Sequence, residues 1–117
     1  MKTKTLKVSD YTKFPYARYR DDGDGNGEEF RDDFIAPILA AGSNLIIDLD
    51  GVVDEYGSSF LDEAFANLLR KGVISPADID KRIEFKSDNQ QWLAELKIYI
   101  DNAKADIEGK NARHHVI

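Results

Sequence analysis

Two aspartates and two serines lie close together in L-I-I-D-L-D-G-V-V-D-E-Y-G-S-S-F, residues 45–60. Asp48 and Asp50 follow an apolar run that could deliver a nucleophilic carboxylate to a phosphoryl group. Ser58 and Ser59 stand where an amphipathic stretch begins, so their hydroxyls could cap a helix or be read by another protein. The first reading makes a catalyst and the second a switch or docking module. Ser59 with Asp62 fits the spacing of a capping box, which assigns Ser59 to the cap, worth about 1 kcal/mol. Ser58 is then the better candidate for modification. A phosphate there would meet free amides and the positive end of the helix dipole, and would change the loop's surface by nearly two charges.

The elements that must hold this stretch can be read on either side of it. Leu45-Ile46-Ile47-Asp48-Leu49 is a short apolar run bounded by turn residues, as expected of a central strand. Phe60, Leu61, Ala64, Phe65, Leu68 and Leu69 follow at helical spacing, with Asp62 and Glu63 early, Arg70 and Lys71 late and Gly72 beyond. Upstream, Leu6 and Val8 alternate with Lys7 and Ser9, and Phe14 to Arg20 alternates again, which predicts an N-terminal hairpin or a pair of edge strands. Asp21 to Gly27 reads as a loop, and Phe30, Phe34, Ile35, Ile38 and Leu39 as a helix that Pro37 should kink or break and Gly42 ends. Downstream come a turn or short helix at Ser75–Asp78 and a strand at Arg82–Lys86. A last helix carries Trp92, Leu93, Leu96, Tyr99, Ile100 and Ala103, with Ser87 and Gln90 at capping-box spacing. From about Lys104 to residue 117 a frayed tail is expected. The order β-β-α-β-α-β-α implies an α/β fold, a mixed β-sheet backed by α-helices, in a single domain over residues 1–117.

Composition narrows the functions. The chain has 117 residues, 42% hydrophobic and 32% charged, as an ordinary folded domain has, and could bury roughly two thirds of its unfolded surface. A net charge of −6 argues against nucleic acid and anionic membranes as partners, and leaves protein surfaces open. No cysteine is present, so thiol chemistry is absent. The opening segment lacks the apolar core of a signal peptide and no apolar run reaches the length of about 20 residues that spans a bilayer, so a cytoplasmic location is expected. No cofactor is called for.

Two further constellations carry weaker chemistry. Asp22, Asp24, Asn26 and Asp33 have the oxygen-ligand spacing of a calcium loop, but Glu29 stands where an aliphatic residue is normal and the preceding segment is a poor entering helix. The simpler reading is that Gly27-Glu28-Glu29-Phe30 opens a helix with its acidic residues at the favourable end of the dipole. His114 and His115 sit near the C-terminus, away from any serine, and read as a solvated tail.

Asp48-Leu49-Asp50-Gly51-Val52 resembles the first motif of haloacid-dehalogenase-like phosphatases. That resemblance implies a nucleophile at Asp48, a general acid/base at Asp50 and Mg²⁺ as counter-charge. The family also needs a basic residue and a later acidic pair at the ends of further strands. Only Asp78 and Asp80 offer themselves, and they precede a strand instead of ending one.

A second resemblance covers more of the chain. F-P-x-x-R-Y-R…G-E-E-F-R-D, Y-G-S-S-F-L-D-E-A-F and R-I-E-F-K-S-D…I-Y-I resemble, in order, the STAS-like domain family of unknown function, itself similar to bacterial anti-sigma-factor antagonists. The likeness implies a non-enzymatic regulatory domain with a sheet backed by helices. It also implies a histidine-kinase-like ATPase as partner, which phosphorylates a serine in the strand-to-helix loop. Aligned from the apolar strand, the antagonists' D-S-S-G-L falls on Tyr56-Gly57-Ser58-Ser59-Phe60. Gly57 therefore stands where their phosphorylated serine does, and Ser58 matches the second serine. On this reading Tyr56, Gly57, Ser58, Asp62 and Glu63 form the partner surface, with Asp54 and Glu55 nearby, and Ser58 or Ser59 accepts the phosphate.

Overall fold

The computed structural model describes residues 2–114, with side chains described through residue 109. Strand β1 is Thr3–Lys7, β2 is Asn44–Asp48 and β3 is Ile83–Lys86. They form one sheet in the order β1-β2-β3, parallel throughout. Parallel neighbours need crossover connections, which helices supply here. Helix α1 is the single turn Val8–Tyr11. Gly27–Glu29, Phe30–Ile35 and Ala36–Ala40 run on as one helix, α2 (27–40). Ser58–Leu61, Asp62–Ala66 and Asn67–Arg70 make α3 (58–70). Helix α4 is Pro76–Arg82 and α5 is Gln90–His114.

A parallel sheet built in sequence order with right-handed crossovers carries its helices on one face. Burial follows that rule. Leu6, Leu45, Ile47, Ile83 and Phe85 point into the core, while the in-register rows Thr5–Ile46–Glu84 and Lys7–Asp48–Lys86 form the other face. The core is closed by Phe30, Ile35, Phe60, Leu61, Phe65 and Leu68 from α2 and α3, and by Leu96, Ile100 and Ala103 from α5.

Several sequence expectations change. Residues 14–20 form no strand, so the expected hairpin and mixed sheet give way to an all-parallel sheet. The segment is extended, but Pro15 has no amide to donate and Ala17 makes only an isolated bridge to Asn26. Its carbonyls serve a helix instead, Ala17 O accepting from Gly27 N and Arg18 O from Glu28 N, both at 3.0 Å. Pro37 does not break α2. Phe30–Ile35 is a π-turn immediately before it, in which the amide of Ala36 donates to Arg31 O, five residues back, so the ladder is already shifted where proline lacks a donor. The α5 cap is Asn89, whose side chain accepts from the amides of Gln91 and Trp92 at 3.0 and 3.1 Å; Ser87 does not cap it. The chain beyond Lys104 stays helical through His114, held by Ile107 against the core and by ion pairs Lys104–Asp80 and Arg70–Asp106. The reading of His114 and His115 as a solvated tail lies outside the described side chains.

Candidate functional site

The stretch from Asp48 to Glu63 leaves the C-terminal end of the central strand, turns, and enters α3. Asp48 closes the turn by accepting from the amide of Asp50 at 3.0 Å, and Gly51 follows at φ 97°, a conformation that favours glycine. Asp50 faces the neighbouring loop. Its two carboxylate oxygens accept from the Ser87 hydroxyl at 2.6 Å and the Asp88 amide at 3.0 Å, which fastens the loop after β2 to the loop after β3. The two aspartates thus hold turns together. Among the described residues no group of three or more His, Asp or Glu side chains could share a metal ion. Asp78 and Asp80 lie on α4, before β3.

The calcium-type spacing is likewise consumed by local structure. Asn26 caps α2 by accepting from Glu29 N at 2.7 Å, Asp22 accepts from Tyr19 N at 2.9 Å, and Asp33 takes both Arg20 nitrogens at 2.8 and 3.1 Å. That pairing keeps the Asp33 carboxyl below its usual range.

Two residues expected on the partner surface are inside. Tyr56 is 6% exposed: its ring meets Trp92 edge-on at 5.0 Å and its hydroxyl donates to Leu49 O at 2.6 Å. Burial, reinforced by the Asp50 and Asp48 charges, pushes its phenol pKa well up. Glu63 is 2% exposed and bonds the buried Arg31 guanidinium, which also donates to Glu63 O at 2.9 Å. Arg18 reaches the same carboxylate at 3.3 Å. Burial alone would raise the Glu63 pKa, yet the bonds from Arg31 and Asn67 and the arginine charges outweigh it and hold the value low. Asp62 is half-buried and bridges Arg18 at 3.0 Å and Arg70 at 3.1 Å, so its charge is already matched.

Gly57 and Ser58 do reach the surface, but the cap differs from the sequence expectation. Helix α3 begins at Ser58 with Gly57 as N-cap, and no side chain completes the cap; Ser59 is half-buried in the first turn. Ser58 is exposed.

What covers the ground beside Ser58 escaped the sequence reading. Loop 12–16 runs alongside 53–57, with Val53 N donating to Lys13 O at 3.0 Å and Gly57 N to Pro15 O at 2.9 Å. The approach is close enough that a Cβ on Gly57 would sit 3.0 Å from Tyr16 Cα. Phe14, Tyr16 and Val53 are 54%, 44% and 57% exposed, giving an apolar patch on the pair of loops that leads into Ser58. Exposed Asp54 and Glu55 border it, and Tyr16 donates to Asp54 at 3.4 Å. The sequence signal was present in F-P-Y, aromatic residues around a proline that cannot join a sheet interior.

Residues 26–91, more than half of the chain, match the family model of the STAS-like domain of unknown function (DUF4325). The match takes in the G-E-E-F-R-D, serine-loop and R-I-E-F-K-S-D segments, and ends short of residues 14–20 and 98–100. No curated protein and no solved structure matches the chain.

Proposed function

The chain belongs to the STAS-like domain family, and on that footing we propose that it is a non-enzymatic regulatory module. It offers its Ser58 loop to a protein partner such as a histidine-kinase-like ATPase. The observation that carries the reading is the joining of an exposed Ser58, at an α3 start without a side-chain cap, to the exposed patch of Phe14, Tyr16 and Val53. Aromatic residues fixed on short loops are what protein interfaces use as anchors, and the free first-turn amides of α3 suit a phosphate. Acidic Asp54 and Glu55 at the border favour a partner with a basic groove. Tyr56 and Glu63 support this surface from beneath.

Intact mass of the protein isolated from its own host tests the switch. The reading expects a species heavier by one phosphate, lost in Ser58→Ala and kept in Ser59→Ala. For the docking half, a purified kinase-like ATPase should bind the wild type and lose affinity for Tyr16→Ala and Val53→Asp. Binding untouched by either change would move the interface elsewhere, and a phosphate that survives Ser58→Ala would remove Ser58 from the proposal.

A further inference from the structure

The outer edge of β3 is open: among the described residues nothing joins β3 on the side away from β2. Lys86 O accepts from Leu49 N at 2.9 Å, so by strand alternation Glu84 and Lys86 turn their backbone groups toward β2. Phe85 consequently turns both N–H and C=O outward. Its side chain lies on the helix-covered face, half-buried, beside an apolar groove of about 290 Å³ floored by Ile83, Leu93, Leu96 and Ile100. Ion pairs within the chain, Lys97–Asp101 and Lys104–Asp80, neutralise the groove's rim, which suits an apolar occupant better than a charged one.

We infer that the occupant is a second copy of this chain, added antiparallel across a two-fold axis at Phe85. In that register Phe85 of each copy donates its N–H to the carbonyl of the other, and the two phenyl rings extend the grooves into each other. Residues directly opposite share a face, so Glu84 stands against the second copy's Lys86, and Lys86 against the second copy's Glu84. The alternative register centred on Glu84 would set like charges face to face. The segment I-E-F-K is therefore self-complementary in charge as well as in backbone pairing, and the result is a closed dimer with a continuous six-stranded sheet. This surface is formed by β3 and α5 and stands independently of the Ser58 reading.

Sedimentation or light scattering of the full chain over a dilution series is the experiment. Wild type should show a reversible monomer–dimer equilibrium. Glu84→Lys alone and Lys86→Glu alone should each weaken association by about tenfold or more, because both cross-strand pairs become repulsive. An equal mixture of the two variants restores both pairs and should form heterodimers, which also shows that each variant has folded. A wild type that remains monomeric throughout, single reversals that leave association unchanged, or a mixture that fails to recover the dimer each overturns the inference.

Discussion

Arg31 on α2 and Glu63 on α3 meet as a buried ion pair, and each lies in a π-helical turn of its own helix, Phe30–Ile35 and Asp62–Ala66. A lone charge in that interior would be costly, so the pair holds only as a pair. Glu63→Leu or Arg31→Met alone should each destabilise the fold by about 3–5 kcal/mol in urea titrations, whereas the two combined should fall well short of the summed losses. Additive losses would show that the two side chains act separately.

The same pair sets an acid limit. The Glu63 carboxyl is held below its ordinary value of 4.5, so its contribution to stability is complete above that pH and is lost as pH falls through the lower folded-state value. Thermal midpoints should drop through this acid window, and the drop should be shallower in Glu63→Gln. Parallel profiles would assign the acid sensitivity to other carboxylates.

Helices α2 and α3 come close together at Gly27, where a Cβ would lie 2.9 Å from both Ala64 N and Phe60 O. Gly27→Ala should therefore cost about 1–3 kcal/mol, although alanine is the better helix former. Gly109→Ala in α5, where a Cβ meets nothing within 4 Å, serves as the comparison and should stabilise by about 0.5–1 kcal/mol. Equal responses at the two sites would contradict close packing at Gly27.

Tyr56 and Tyr16 should separate stability from recognition. Tyr56→Phe leaves the Leu49 carbonyl without its donor and should cost about 1–3 kcal/mol. Tyr16→Ala, at an exposed ring, should stay within about 0.5 kcal/mol of wild type while weakening the proposed partner interaction. A Tyr16 variant that unfolds readily would place that ring among the supports of the fold.

With Gly57 as the N-cap, neither serine caps α3 through its side chain. Ser58→Ala and Ser59→Ala should each shift the unfolding free energy by less than about 0.5 kcal/mol, in contrast to the loss expected of a true cap. A loss near 1 kcal/mol in either variant would restore that residue to the cap.

The elements most legible in the sequence were those whose apolar spacing had one solution. Leu45 to Leu49 could only be a buried strand, and the Phe60 to Leu69 pattern only a helix with one inward stripe; Leu45, Ile47 and Leu49 are buried with Ile46 half-buried on the other face, and Phe60, Leu61, Ala64, Phe65, Leu68 and Leu69 are all buried. The spacing around residues 14–20 was ambiguous, because aromatic alternation looks the same in a strand and in an extended loop. Only the tertiary position of the segment, against the start of α2 and loop 53–57, decides between them. The serine loop was found, but its lining was not. Tyr56 and Glu63 read as surface residues because a phenol and a carboxylate usually are, and nothing local announces that Leu49, Arg31 and Arg18 wait for them across 7 to 45 positions of chain. Phe14 and Tyr16 were hidden for the opposite reason, aromatic residues being expected inside.

The grip of Asp50 on residues 87 and 88 has a mechanical side. Those residues precede α5, Trp92 in the first turns of α5 leans on Tyr56, and the Tyr56 hydroxyl returns to Leu49 O, so loop and helix form a closed circuit of contacts that begins and ends beside the central strand. A group that pries Tyr56 away from Trp92 thus strains a ring, and the ring runs along the same helix that floors the β3 groove.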